Sequence, residues 1–483
     1  MSGLINLENV YYSYPGEKKW ALENINLTVE QGEILAVMGE NGAGKTTFCK
    51  LFNGIIPCLA EGRFSGNVIV DGENTRDSQV PRLALKTGMV LDDPDTQLFT
   101  SSVPDEAAFG PENLLLPPEE IKKRAAFALS AVGLCGFEGR TPATLSGGEK
   151  QRLVIASAMA MGGKILVLDE PLSRLDPQGA AEIISVLRSI RTQYNITVIL
   201  ATHDGKSAAA LADRVCILKN GHIAACDTVE KIFADPSMLE ENGIQAASGA
   251  DIEKIFTVKN KPSCAQAVNV TDFCFSYGKP DVSIGRISLS VEQGDFTAIT
   301  GKNGCGKTTL LKCITGLLRP SSGDIFINGK NTKELSVSGI SKEIGFVMQN
   351  PDTQLFTDSV YNEVSFALKN ARLPKAEIQK RTEEALRTAG LTDPCAFPYA
   401  LSKAERTKVV IASVLAMGCK ILIFDEVDVG QDRKGCIHIM NIAKELHSRG
   451  YTIIFVTHNM SLVCEYARKL IIMSRDGVAQ YER

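Results

Sequence analysis

Residues 39–47 read GENGAGKTT, and residues 301–309 read GKNGCGKTT. Each stretch follows an apolar run of strand character (residues 34–38 and 296–300) and precedes a helical pattern, the context that separates a phosphate site from a chance glycine turn. In such a loop Gly39, Gly42 and Gly44, or Gly301, Gly304 and Gly306, let backbone N–H groups converge on phosphate oxygens, with Asn41 and Asn303 lying inside the two loops. Lys45 or Lys307 meets the β- and γ-phosphates, Thr46 or Thr308 holds Mg²⁺, and Thr47 or Thr309 closes the motif. A nucleoside triphosphate such as ATP is the expected ligand.

The repetition extends along the whole chain. PDTQLF at 94–99 recurs at 351–356, ILVLDE at 165–170 returns as ILIFDE at 421–426, and ATH at 201–203 returns as VTH at 456–458. Order and separation are kept, so the chain is a tandem duplication of domains rather than a solenoid of roughly 20–45-residue units. The expected division is 1–235 for the first domain, 236–267 for a linker with at most a short helix, and 268–483 for the second. The linker contains Pro236, Gly243, Gly249 and Pro262 among mixed polar residues, and no long charged helical arm. In each copy β-rich runs alternate with helical stretches such as 119–132 and 180–194, which predicts a mostly parallel sheet wrapped by helices, while residues 4–29 and 268–291 alternate as antiparallel strands do.

Composition narrows the function. The 483 residues are 44% hydrophobic and carry a net charge of −4, so no basic field draws the chain onto nucleic acid. Thirteen cysteines include no Cys-x-x-Cys pair, which argues against zinc ribbons, iron–sulfur clusters and disulfide scaffolds and fits a reducing compartment. The first ten residues lack the pattern of a secretory signal. The longest low-charge stretch, 153–168, is broken by Gly162, Gly163 and Lys164 and falls short of the ~20 apolar residues of a membrane span.

Four apolar residues ending in Asp169-Glu170, and again in Asp425-Glu426, read as a buried strand delivering two carboxylates at its C-terminal end. Asp169 and Asp425 suit the Mg²⁺ shell, and Glu170 and Glu426 suit polarising an attacking water. His203 and His458, matched in the two copies, are placed to contact a γ-phosphate and orient that glutamate. His222, His438 and His447 have no such counterparts and read as surface or packing residues.

Leu145-Ser-Gly-Gly-Glu149, about 20 residues before the carboxylate strand, completes a motif order that resembles ATP-binding-cassette (ABC) ATPases across both copies. The resemblance implies an α/β fold of two tandem P-loop NTPase domains, each with an antiparallel β subdomain, a mostly parallel core sheet and a helical subdomain. It also implies head-to-tail pairing of the two domains, each ATP lying between one domain's glycine-rich loop and the other's signature. Ser146, Gly147 and Gly148 would then cap the phosphate held at Lys307, with Ser402 as their counterpart in the second copy. Tyr14 and Tyr277 fall where the family stacks adenine; ordinary strand tyrosines are the alternative.

One half departs from the family. Gln349 stands where the family has the glutamine that touches Mg²⁺ or the lytic water, but the first copy has Asp92, still able to ligate Mg²⁺ and lacking the amide donor. The second signature reads Leu401-Ser-Lys-Ala-Glu405, without either glycine. Head-to-tail pairing brings both departures to the ATP at Lys45, which predicts a hydrolytic site at Lys307 and a slow or silent one at Lys45. The alternative is that Lys403 supplies a compensating cation and both sites work.

The Asn-Pro-Asp-x-Gln-Leu-Phe stretch, with Glu363 to Ala367 or Glu106 to Asn113 after it, is similar to ATPases of energy-coupling-factor (ECF) importers. That likeness implies a subunit peripheral to the cytoplasmic face of the cell membrane. Its partners would be a transmembrane coupling protein and a small membrane protein that captures a vitamin or transition-metal ion. No nucleic acid partner is expected. Leu98, Phe99, Leu355 and Phe356 would line the groove that receives the membrane partner, or else be plain core. The tandem ATPase of sugar-type importers, and a soluble ATPase acting on ribosomes or RNA, are the competing readings.

Overall fold

The computed structural model describes residues 3–244, 255–258, 265–278, 283–475 and 477–483. It divides into two units, Met1–Ala247 and Ser248–Arg483. Gly249 and Pro262, read above as linker residues, lie outside the described residues.

In the first unit the strands Ile34–Met38, Ile165–Asp169 and Thr197–Ala201 are buried along their whole length. Near-continuous apolar sequence is what a parallel strand covered on both faces requires. The six-stranded sheet runs His222–Thr228, Arg214–Lys219, Ile34–Met38, Thr197–Ala201, Ile165–Asp169, Thr87–Val90, parallel except for its first pair. Side chains alternate between two cores. Leu35, Val37, Ile165, Val167 and Ile199 face the antiparallel sheet and the helix after the glycine-rich loop. Ile34, Leu166, Leu168, Val198 and Leu200 face the helices. The antiparallel sheet has the order Leu22–Val29, Ile5–Ser13, Arg63–Val70, Glu73–Asn74. On the other side the helices Val103–Asn113, Pro118–Ala131 and Gly147–Ala160 pack on one another.

The second unit repeats this plan. Its parallel strands Phe296–Thr300, Thr452–Val456, Ile421–Asp425 and Ile344–Val347 pair in register with one another. Leu422, Phe424 and Phe455 face one core, and Ile421, Ile423 and Ile454 the other. The helices Val360–Asn370, Lys375–Thr388 and Lys403–Ala416 correspond to the three in the first unit. A mostly parallel sheet with an antiparallel sheet and a helical group therefore forms in both copies, as the patterning predicts.

The residues read as a linker are partly absorbed into the units. Pro236–Glu241 is a helix whose Leu239 is buried, with Ile244, against Ala36, Met38 and Ile217 of the first unit. Thr257–Val258 pairs with the strand Val478–Glu482, and Phe256 is buried in the second unit's core. Apolar residues spaced through a polar stretch found partners that composition alone does not reveal. Among the described residues no helix is long and apolar enough to cross a membrane.

Phe455 is 2% exposed in the centre of its sheet. Phe455→Ala should lower the stability of the second unit by about 3–5 kcal/mol, whereas Leu115→Ala, at a side chain 90% exposed, should stay within about 0.5 kcal/mol. Urea unfolding of the full chain measures both.

Candidate active sites

Each site is assembled where the buried strands end. The helices Lys45–Cys49 and Lys307–Ile314 start at the loop lysine behind Gly44 and Gly306, both left-handed, and neither N-terminus carries a side-chain cap. Their first N–H groups are thus open to an anion. At the other end of the loop a Cβ on Gly39 would lie 2.2 Å from the Leu218 carbonyl oxygen, and one on Gly301 2.2 Å from that of Met473. Only glycine lets the loop pass so close to the neighbouring strand.

In the first unit Lys45 Nζ donates to the carbonyl oxygens of Gly39 (2.9 Å) and Glu40 (3.2 Å) and lies 3.7 Å from Glu170. Nδ1 of His203 is 2.9 Å from Glu170. In the second unit Lys307 Nζ donates to Gly301 (2.9 Å) and Lys302 (3.3 Å), lies 3.7 Å from Glu426 and 3.1 Å from Nε2 of His458. His458 Nε2 is 3.4 Å from Glu426. The lysine, glutamate and histidine named from sequence are therefore one cluster in each unit.

Burial works against the Glu170 charge, but His203 and Lys45 outweigh it and hold the carboxyl below its usual range. Burial likewise opposes the His203 charge, and Glu170 overcomes it, so that its pKa is raised. Burial also opposes ionisation of Glu426, and His458 with Lys307 again keeps the pKa low. An ionised glutamate beside a histidine is the state needed to polarise water.

Both glutamates also share a feature the sequence did not disclose. Glu170 has φ 49° and Glu426 φ 48°, a left-handed conformation uncommon outside glycine. Their amides donate ladder hydrogen bonds to the carbonyls of Ala201 and Val456 on the next strand. The turn aims each carboxylate back at the loop lysine, at a backbone cost of order 1 kcal/mol.

Asp169 and Asp425 stand one residue earlier. Burial pushes each carboxyl up to about 6, with the neighbouring glutamate adding to the shift and the hydroxyl of Thr46 or Thr308 opposing it. Thr308 Oγ1 donates to Asp425 at 3.4 Å. One oxygen of Asp169 is buried with no hydrogen-bond partner. A hydroxyl and an orphaned carboxylate oxygen side by side fit an oxygen-ligated divalent cation such as Mg²⁺.

Tyr14 and Tyr277 have the same contact in both units. The hydroxyl of Tyr14 is 3.0 Å from Thr47 Oγ1 and that of Tyr277 3.1 Å from Thr309 Oγ1. Tyr277 remains 56% exposed, so its ring can accept a stacking base. The two units diverge at the next position. Gln349 Nε2 donates to Glu426 at 3.1 Å. Its counterpart Asp92 instead lies 3.9 Å from Arg174, which also binds Asp93 at 2.7 Å. Arg174 was not singled out from sequence. The signal was there, because aligning the strands from Asp169 and Asp425 sets Arg174 opposite Gly430.

The signature helices differ as well. Ser146 and Ser402 both cap their helices in a capping box with Glu149 or Glu405. Ser402 Oγ additionally donates to Glu405 at 2.8 Å. A Cβ on Gly147 or Gly148 would meet nothing closer than 3.8 Å, so packing within the unit does not require glycine there. In the second unit Lys403 Nζ donates to the carbonyl oxygen of Val429 at 2.7 Å. Its charge is directed into its own unit.

The four apolar residues after the Gln/Asp position separate into two roles. Leu355 is buried and Leu98 packs partly buried on the first core, whereas Phe99 and Phe356 are 64% and 60% exposed. Each phenylalanine meets a second exposed ring edge-on at 4.6 Å, Phe109 or Phe366. Buried Glu106 accepts from the amides of Phe99 and Thr100 and from the Thr100 hydroxyl, and Glu363 repeats this with Phe356 and Thr357. Gln97 and Gln354 clamp the preceding strand through Leu91 and Met89, or Met348 and Phe346. These glutamines and glutamates lay in repeated motifs whose structural role the sequence reading did not assign.

Residues 22–173 and 284–428 match the family model described as ABC transporter. A relative from Methanosarcina mazei, named as an ABC transporter ATP-binding protein, is 36% identical over 98% of this chain and 88% of its own length. One from Caldanaerobacter subterraneus subsp. tengcongensis, named likewise, is 35% identical over 98% of this chain and 90% of its own. Among solved structures, cbiO1 from Clostridium perfringens, described as part of the ABC transporter complex cbiONQ, is 33% identical. It covers 50% of this chain and 94% of its own, with a TM-score of 0.45.

The raised Asp169 and Asp425 values set a pH dependence. In each the folded chain holds a proton that the unfolded chain releases near pH 4, so stability is lost as pH rises from about 4 through about 6. Without nucleotide or divalent metal, Asp169→Asn and Asp425→Asn should therefore each stabilise the chain at pH 7.5 by about 1–3 kcal/mol. The gain should shrink toward pH 4, as followed by urea unfolding in EDTA.

Proposed function

This chain belongs to the ABC transporter family and is an ATPase, an ATP-binding subunit of a transporter; from that premise we propose that it powers an ECF-type importer with one active and one degenerate ATP site. In the ATP-bound state the two units would pair head to tail. The hydrolytic pocket would combine Lys307, Thr308, Gln349, Asp425, Glu426 and His458 with Ser146, Gly147 and Gly148. The other would combine Lys45, Thr46, Asp92, Asp169, Glu170 and His203 with Ser402, Lys403 and Ala404.

The observation that carries the asymmetry is the amide of Gln349 on Glu426, against the pairing of Asp92 with Arg174. At Lys307, Glu426 is held ionised to take a proton from water, His458 steadies that carboxylate, and Lys307 neutralises phosphate charge. Mg²⁺, held through Thr308 and Asp425, would supply further charge neutralisation at the phosphates. The open space at Gly147 and Gly148 lets backbone N–H groups come up to a phosphate, whereas Lys403 and Ala404 put side chains there. Lys403 already serves the Val429 carbonyl in its own unit, which weakens the reading in which its cation rescues the Lys45 site.

Coupling to a membrane partner is supported by the exposed Phe99–Phe109 and Phe356–Phe366 pairs, since contiguous exposed aromatics mark interaction surfaces. Gln354 ties the second pair to Met348, the residue before Gln349, and Gln349 reaches Glu426. A push on the aromatic pair thus reaches the proposed base through two hydrogen bonds. The partners would be a transmembrane coupling protein and a small capture protein for a vitamin or transition-metal ion, with this chain peripheral on the cytoplasmic face.

In single-turnover hydrolysis by the full chain, Glu426→Gln should reduce the rate by about 10²–10⁴ and Glu170→Gln by less than about tenfold; equal losses would overturn the asymmetry. Copurification from detergent-solubilised membranes should recover a multi-span protein, and Phe99→Asp with Phe356→Asp should lose it while hydrolysis persists. Recovery of ribosomal RNA in its place would support the ribosome or RNA reading.

A further inference from the structure

Cys216 and Cys226 face each other across the antiparallel pair Arg214–Lys219 and His222–Thr228. Directly opposed residues in such a pair have Cα atoms roughly 4.5–5.5 Å apart, inside the range a disulfide spans. Both thiols are free. Cys216 is fully buried, while Cys226 is half-buried on the edge strand of its sheet. The guanidinium of Arg214 donates to Cys226 Sγ at 3.2 Å, while its other arm binds Glu33 at 3.0 Å and the Thr28 carbonyl at 3.2 Å.

We propose that Cys226 and Cys216 form a reversible thiol oxidation site for peroxides, with Cys226 as the attacking thiolate and Cys216 as the resolving thiol. Three features of the geometry meet here: a cation fixed on one sulfur, access for a small oxidant at a sheet edge, and a second sulfur directly across the ladder. The hydrogen bond from Cys216, followed by the Arg214 charge, brings the Cys226 thiol down to about 7 despite its burial, so a large share is thiolate at neutral pH.

The chemistry balances in two steps. Cys226 thiolate attacks one peroxide oxygen; an S–O bond forms, the O–O bond breaks, and the leaving oxygen departs as water or alcohol after taking a proton from solvent. Sulfur is oxidised by two electrons and the peroxide reduced by two. The Cys216 sulfur then attacks the sulfenic sulfur; the S–S bond forms, the S–O bond breaks, and hydroxide leaves as water with the Cys216 proton.

The duplicated unit supplies a natural control. There the corresponding cross-strand pair is Ile471 and Gln480, and Lys469, in the place of Arg214, binds Glu292 and Asp295. The thiol pair therefore belongs to the first unit alone. It sits on the strand next to Ile34–Met38, with Cys216 opposite Val37, and the same strand carries the Leu218 carbonyl against Gly39.

The test is a peroxide titration of the full chain, quenched by alkylation and digested with trypsin. Lys219 lies between the two cysteines, so a disulfide joins peptides 215–219 and 220–231. The expected result is that this linked pair accumulates before oxidation of the exposed Cys58, Cys135 and Cys395, and disappears on reduction. In Cys216→Ala, a substitution the core accommodates as a small apolar side chain, Cys226 should stop at the sulfenic acid and be trapped by a dione reagent. Arg214→Gln should slow oxidation of Cys226 by ~3–10-fold. Recovery of Cys216 and Cys226 as free thiols at doses that oxidise Cys58, Cys135 and Cys395 would overturn the proposal. So would an absence of trapped sulfenic acid in folded Cys216→Ala at about pH 9, where Cys226 ionises without the Cys216 hydrogen bond.

Discussion

A strand buried on both faces can carry charge only where it emerges, and in each unit that point is the pair of carboxylates after Ile165–Leu168 or Ile421–Phe424. A carboxylate this close to an apolar core must be neutralised or paired. The loop lysine and the histidine of the next strand provide the pairing for Glu170 and Glu426, and the left-handed turn points both glutamates toward it. Asp169 and Asp425 receive less compensation and sit at raised pKa. That shortage of counter-charge is what suits the end of the strand to a cation.

The two units hold the same framework with different side chains at a few positions. Both keep the lysine, glutamate, histidine and tyrosine contacts, and both use a buried glutamate to shape the loop below an exposed aromatic pair. They part at a handful of side chains. Where the second unit has an amide and a glycine, the first has the acid Asp92 and the base Arg174, an exchange that nearly conserves local charge while removing the donor facing the glutamate. Such compensation leaves the fold intact, so the side chains beside the glutamate can differ between the units without disturbing the framework.

Much of this was legible before any coordinates. The glycine-rich loops, the strand ending in Asp-Glu and the matched histidines act through backbone geometry and short spacing, both of which survive in one-dimensional form. Contacts between distant segments did not survive in that way. Nothing local announces that Arg174 turns toward Asp92, that Lys403 spends its charge on Val429, or that Gln97 and Gln354 grip the strand before them. The helix Pro236–Glu241 shows the same limit, because its polar composition hides one leucine whose burial decides where the segment lies. Leu98 and Phe99, adjacent and equally apolar, go to opposite environments for the same reason.

The vacant space at Gly147 and Gly148 bears on how such a chain can change. A methyl group at either place offends no neighbour, and the helix behind it keeps its serine cap. Selection or screening for thermal robustness alone would pass over these two positions in silence. The durability of the scaffold is therefore indifferent to these two glycines, and a reason for keeping them has to be sought outside the packing of their own unit.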